Sequence, residues 1–164
     1  MTSTLPTVPS ARPYGTREIQ ERIPLMRPLL PLQTVECILD RRADELLELI
    51  EAGRLAWVFD IAAAPGSGRR EIRVWRGSVL DYLRGYALGD ADQDQVLDSI
   101  LPHHRPEIRG PELERTLSCS GVHIACLARS RALHVVCQAG RGPNGFLRIS
   151  RASVVDFLAD RRLQ

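Results

Sequence analysis

The chain contains no lysine. All 22 of its basic residues are arginine, whose planar guanidinium grips phosphate and guanine bidentately where an ammonium makes a point contact. A GC-rich coding sequence produces the same bias, so this absence alone names no partner. No apolar run approaches the roughly 20 residues that span a bilayer, which argues against a membrane partner. Four cysteines without a signal peptide make no disulfide framework, and reduced thiols in a cytoplasmic protein are the expectation. No glycine-rich run leads from a strand into a helix bearing lysine, so no phosphate loop is expected. Asp90-Ala91-Asp92-Gln93-Asp94 resembles the start of a calcium loop, but Gln95 stands where that loop needs glycine and Leu101 where it needs glutamate.

What is present is a repeat. Arg73-Val74-Trp75-Arg76-Gly77-Ser78-Val79-Leu80-Asp81-Tyr82-Leu83 returns as Arg148-Ile149-Ser150-Arg151-Ala152-Ser153-Val154-Val155-Asp156-Phe157-Leu158. Upstream, Leu46-Leu47-Glu48-Leu49-Ile50 lines up with Ile124-Ala125-Cys126-Leu127-Ala128, and Leu55 and Val58 with Leu133 and Val136. Two units follow, each small enough to need packing against its neighbour or a second copy, so a homo-oligomer stays open. Their charges differ: residues 32–83 sum to −2 and residues 112–162 to +4.

Residues 1–31 hold six prolines, which leave room for one short helix near Thr16–Ile23. The remainder reads as a disordered tail, or as an arm along a partner subunit or a DNA groove. The first unit, 32–84, has apolar spacing for a short helix over Thr34–Leu39, a turn at Asp40-Arg41-Arg42, and a second helix over Ala43–Ala52 closed by Gly53. A hairpin over Ala56–Ile61 and Glu71–Trp75 and a closing helix complete it. In the linker, 85–111, a helix over Gln93–Leu101, capped by Asp90 or Asp92, is expected to cover the seam between the units with Val96, Leu97, Ile100 and Leu101. The second unit, 112–164, repeats the order: helix Glu112–Leu117, turn Ser118–Gly121, helix Val122–Arg131, hairpin His134–Gln138 with Phe146–Ile149, and helix Ala152–Arg161.

This order, with Gly53 and Leu55 after the second helix and the Arg-x-apolar-x-Arg-x-Ser pattern after the hairpin, resembles the excisionase and MerR-like winged helix-turn-helix family, present as two tandem copies over about 110 of the 164 residues. The second copy keeps Leu133 but has Arg131 in place of the glycine. The resemblance implies an α+β fold of two winged units and a non-enzymatic protein binding double-stranded DNA, its second helix in the major groove and its wing on the adjacent backbone. No cofactor is implied.

The two copies diverge where that contact would be made. The first unit's second helix presents Asp44, Glu45, Glu48 and Glu51, carboxylates that phosphates repel. That face suits a protein partner, with DNA reached only through Arg69, Arg70, Arg73 and Arg76. In the second unit, Ser120, His123, Cys126 and Arg129 share the exposed side, and Arg141, Arg148 and Arg151 lie on or beside the wing. These residues form the expected DNA-binding surface, with Arg148 and Arg151 as phosphate contacts. The repeated arginines alternatively suit ion pairs with Asp81 and Asp156. Cys119, His123, Cys126, His134 and Cys137 carry soft metal ligands but no CxxC anchor, and Cys37 and Cys137 read better as small core residues. His103-His104 reads as a solvated loop, and no nucleophile has an oriented base. The rival expectation is a protein-interaction adaptor that keeps winged folds for docking.

Overall fold

The computed structural model describes residues 16–64, 66, 68, 70–85, 91–102, 105–138 and 147–163. Among them, eight α-helices and six short strands build two three-stranded antiparallel sheets, an α+β arrangement. The first unit runs β1 (Leu29–Pro31), α2 (Leu32–Leu39), α3 (Ala43–Glu51), β2 (Val58–Asp60), β3 (Ile72–Trp75) and α4 (Arg76–Arg84). The second repeats the order with β4 (Glu107–Arg109), α6 (Gly110–Leu117), α7 (Gly121–Arg129), β5 (Val135–Cys137), β6 (Arg148–Ser150) and α8 (Arg151–Asp160). Ahead of them lie α1 (Thr16–Arg22) and a single 3-10 turn at Ile23–Leu25, and α5 (Gln93–Ile100) links the units.

The helix ends follow from local chemistry. α2 and α6 stop at Asp40 and Ser118, each left-handed at φ 50°, a conformation that frees the chain to turn sharply. Ser120 caps α7 by accepting the backbone N–H of His123 at 3.3 Å, which satisfies one otherwise orphaned donor. The Glu45 carboxylate does the reverse in α3, accepting the Arg42 backbone N–H at 3.0 Å. At the start of α5, Asp92 holds the cap position without a side-chain cap bond.

Each sheet has one strand more than a hairpin. β1 pairs with β3 and β4 with β6, so the central strands are β3 and β6. Leu29–Pro31 therefore belongs to the first sheet rather than to an arm, and Glu107–Arg109 to the second sheet rather than to a linker. No hairpin turn adjoins either segment to announce a strand, and Pro28 and Pro31 sit at the boundaries of an edge strand, where a missing N–H costs no ladder bond. Val58 pairs with Val74 and Val135 with Ile149, so Val135, not Val136, is the counterpart of Val58. Val136 lies in a register shift between Val135 and Cys137.

Strand alternation then assigns the faces. On the first sheet, Leu30, Val58, Ile72 and Val74 face α2, α3 and α4 in a core with Val35, Ile38, Leu46, Ile50, Leu55 and Val79. The opposite, outer face carries Leu29 and Phe59, flanked by Trp57 and Trp75. All four pack into a second core with the linking helix α5 and with α6, α7 and α8 of the second unit. Val96, Leu97 and Ile100 of α5, with Leu101 just after it, are buried in that shared core, across the seam. At roughly 1.5 to 3 kcal/mol for each large apolar side chain removed from water, this seam is a major part of the fold.

Among the described residues, nothing covers the second sheet in this way. Ile108 and Ile149 point inward, while Glu107, Arg109, Arg148, Ser150 and Cys137 occupy the outer face. Cys137 holds the register position of Phe59, since it pairs with Arg148 as Phe59 pairs with Arg73. Phe59 is buried because a unit packs on it; Cys137 is exposed. Cys37 is exposed too, and neither is the core residue expected from sequence. The free edge of β2 is closed by the residues after α8. Phe59 forms an antiparallel bridge with Arg162, the Leu163 N–H donates to the Val58 carbonyl at 2.7 Å, and the Arg162 guanidinium stacks 3.5 Å from the centroid of the Trp57 ring.

Candidate nucleic-acid interface

The α6–α7 corner of the second unit does not project freely. It is docked on the first sheet by a set of polar contacts. Arg73, on the outer face of β3, donates through Nε to the Leu117 carbonyl and through Nη2 to the Ser118 carbonyl, both at 3.0 Å. Those carbonyls lie at the C-terminus of α6, where a cation is favoured. A third donor meets the Ile72 carbonyl at 3.0 Å, and the Glu71 carboxylate lies 3.5 Å away. The Ser118 hydroxyl donates to the Leu29 carbonyl at 2.6 Å. His123 places Nε2 at 2.7 Å from the Ile61 carbonyl; a carbonyl only accepts, so Nε2 carries the proton. Its Nδ1 lies 3.5 Å from Glu71. Burial in this junction pushes the Cys119 thiol up to about 12, against the opposing pull of Arg73, and lowers the pKa of Arg73 itself.

Several residues expected to touch DNA are therefore committed within the protein. Arg73 and His123 have side chains only 11% and 12% exposed and tie the units together. The sequence places His123 on the solvent side of its helix, but the neighbouring unit covers that side. Arg151 pairs with Asp98 of α5 and keeps a buried Nε without a hydrogen-bond partner. Arg76 donates to the Met26 carbonyl. Arg73, Arg148 and Arg151 take Glu71, Glu107 and Asp98 as their carboxylates, not Asp81 or Asp156. Arg69, Arg141 and His103-His104 lie outside the described residues.

The rest of the nominated surface remains open. Ser120, Arg129 and Arg70 are exposed, and Cys126 is half-buried. Arg129 folds back along α7, its Nε at 3.3 Å from the Ala125 carbonyl and Nη2 at 3.4 Å from the Cys126 sulfur. The outward side of α7 otherwise shows Val122 and Ala125, which offer no hydrogen bonds to base edges. Arg148 is half-exposed, with Glu107 at 3.2 Å. Two residues missed from sequence join it: Arg105 and Arg109 line a recess of about 170 Å3 together with Glu107, Ile108 and Arg148. Arg109 pairs across strands with Arg148, a juxtaposition that only the sheet reveals.

In the first unit, α3 keeps Asp44, Glu48 and Glu51 exposed, and Glu45 pairs with Arg41 at 3.6 Å. Among the described residues, no group of three or more His, Cys, Asp or Glu could hold a metal ion, and no helix is long and apolar enough to cross a membrane. Comparison with protein-family models, curated proteins and solved structures finds no match to the chain.

Proposed function

We propose that the protein is a non-enzymatic DNA-binding protein of the tandem winged helix-turn-helix type, in which the second unit holds the duplex by its phosphates and the first unit is the support on which it is mounted. The observation that carries this reading is the convergence of Arg105, Arg109 and Arg148 on a solvent-facing sheet surface, with Arg129 and Arg131 exposed at the end of α7. The same surface in the first unit is apolar and buried. With Val122 and Ala125 outward on α7, base edges are read weakly, and affinity comes from phosphate neutralisation. Such binding is steeply salt-dependent, each neutralised phosphate adding about 0.9 to the slope of log K against log salt.

Fluorescence anisotropy on two duplexes of unrelated sequence, across a salt series, tests it. Both duplexes should bind within a few-fold of each other. Arg109→Ala with Arg148→Ala should lower the slope by about 2 on each. A Kd beyond about 100 μM at low salt, weaker than ordinary non-specific binding, would refute the reading. A protein-docking role then stands in its place, favoured by one feature: α3 offers Asp44, Glu48 and Glu51 unencumbered, a face that phosphates repel and a basic protein attracts.

A further inference from the structure

The two units fill the space between their second helix and hairpin differently. On that helix the first unit carries Leu47 and Ile50: Ile50 is 4% exposed and Leu47 packs against the same core. At the corresponding positions of α7 stand Ala125 and Ala128. Each of these differences removes three side-chain carbon atoms. Beside these two alanines lies an open groove of about 420 Å3, lined by Ala125, Ala128, Arg129, Val135, Gln138 and Leu147. Four of its lining side chains are apolar, and the other two supply one guanidinium and one carboxamide. That volume lies in the range of small-molecule sites, where an apolar lining and a few convergent polar groups define the ligand.

From this geometry we infer that the groove between α7 and β5 binds a small carboxylate with an aromatic or branched apolar body. The apolar body lies against Ala125 and Ala128, where the first unit carries Leu47 and Ile50. The carboxylate meets Arg129, whose Nη1 is not used in the contacts to Ala125 and Cys126, and Gln138 supplies further donors. A guanidinium and a carboxylate form the strongest class of charge-assisted hydrogen bond. The +4 balance of residues 112–162 favours an anion over a cation or a neutral molecule. The inference does not depend on DNA binding, and its test contains no DNA.

Indole-3-acetate serves as the probe and neutral indole-3-acetamide as its control, followed by calorimetry and by the chemical shifts of the Ala125 and Ala128 methyls. The acetate should bind saturably, at least tenfold more tightly than the amide, and shift both methyls. Arg129→Gln should bring the acetate down to the affinity of the amide. Ala125→Leu with Ala128→Ile, which copies the first unit's filling, should abolish binding of both while leaving the melting temperature equal or higher. The inference is overturned if nothing saturates up to about 10 mM, a weakness corresponding to less than about 3 kcal/mol of binding. It is equally overturned if the methyls stay unmoved, if acetate and amide bind alike, or if the filled variant melts as a native protein and still binds. Should the filled variant fail to fold, Arg129→Gln and the methyl shifts decide alone.

Discussion

Arg73 and Arg148 occupy the same register position in the two sheets, and truncating each should have opposite consequences. Arg73→Ala removes two hydrogen bonds to the Leu117 and Ser118 carbonyls, each 3.0 Å long. It also strands the half-buried Glu71 carboxylate beside His123. Hydrogen bonds to a charged donor contribute about 1.5 to 3 kcal/mol each, and breaking a buried pair by removing one partner costs about 3 to 5 kcal/mol. Because 11% of the side chain still reaches solvent, the lower end applies, about 3 kcal/mol. For a chain of this size that is a fall in Tm of roughly 6 to 12 °C. Arg148→Ala loses a pair with Glu107 in which the arginine is 51% exposed, a loss of about 0 to 1 kcal/mol. On DNA the order inverts: Arg148→Ala should lower the salt slope by about 0.9, and folded Arg73→Ala should leave it unchanged. Urea denaturation and the anisotropy salt series on the same two variants check both halves. Equal stability losses, or a flattened salt slope for Arg73→Ala, would refute the assignment of Arg73 to the seam.

Three further outcomes follow from packing, backbone geometry and burial. Arg131 is held at φ 62°, where the first unit has Gly53 at φ 66°; Arg131→Gly should stabilise by about 1 kcal/mol, read as a higher urea midpoint at unchanged m. Phe59→Ala should cost about 3 to 5 kcal/mol, whereas Cys137→Ala at the matching exposed position should shift the thermal melt by less than about 0.5 kcal/mol. Thiol titration at pH 8 should modify exposed Cys37 and Cys137 fast and Cys119 only on unfolding. Burial holds the Cys119 thiol protonated up to about 12 in the folded chain against 9.0 for the free side chain. Its contribution to stability is therefore intact below pH 9 and is lost as pH rises from there towards 12, and Cys119→Ser should flatten that alkaline loss.

The helices and the repeat were legible because each helix runs eight residues or more within the two units, long enough for apolar spacing to declare a face. In α7 that spacing buries Ile124 and Leu127 and leaves Arg129 exposed. β1 and β4 were not legible because, unlike the equally short β2, β5 and β6, they adjoin no hairpin turn and are bracketed by prolines at 28 and 31 and at 106 and 111. The seam left a trace that went unread. Ala56-Trp57-Val58-Phe59 is continuously apolar, as a strand covered on both faces must be, while the outer positions of the second sheet are Glu107, Arg109, Arg148 and Ser150. Aligning the copies by sequence gave Arg73 and Arg148 one role, and a helical wheel gave His123 to solvent. Both failed because what covers a side chain here is another unit, and a one-dimensional pattern carries no record of its neighbour.

The bridge between Phe59 and Arg162 also has a meaning in time. The two residues are about a hundred positions apart, so at about 5 to 20 residues per second a nascent chain waits roughly 5 to 20 s between emitting β2 and emitting the segment that closes its edge. Throughout that interval the first sheet presents an open strand edge and a bare apolar face of Leu29, Trp57 and Phe59, the combination that templates aggregation. The helices that will cover it arrive only in the second half of synthesis. Until then the unfinished polypeptide is a client for whatever holds exposed apolar surface in the cell, and the rate of translation through residues 91–163 sets how long it stays one.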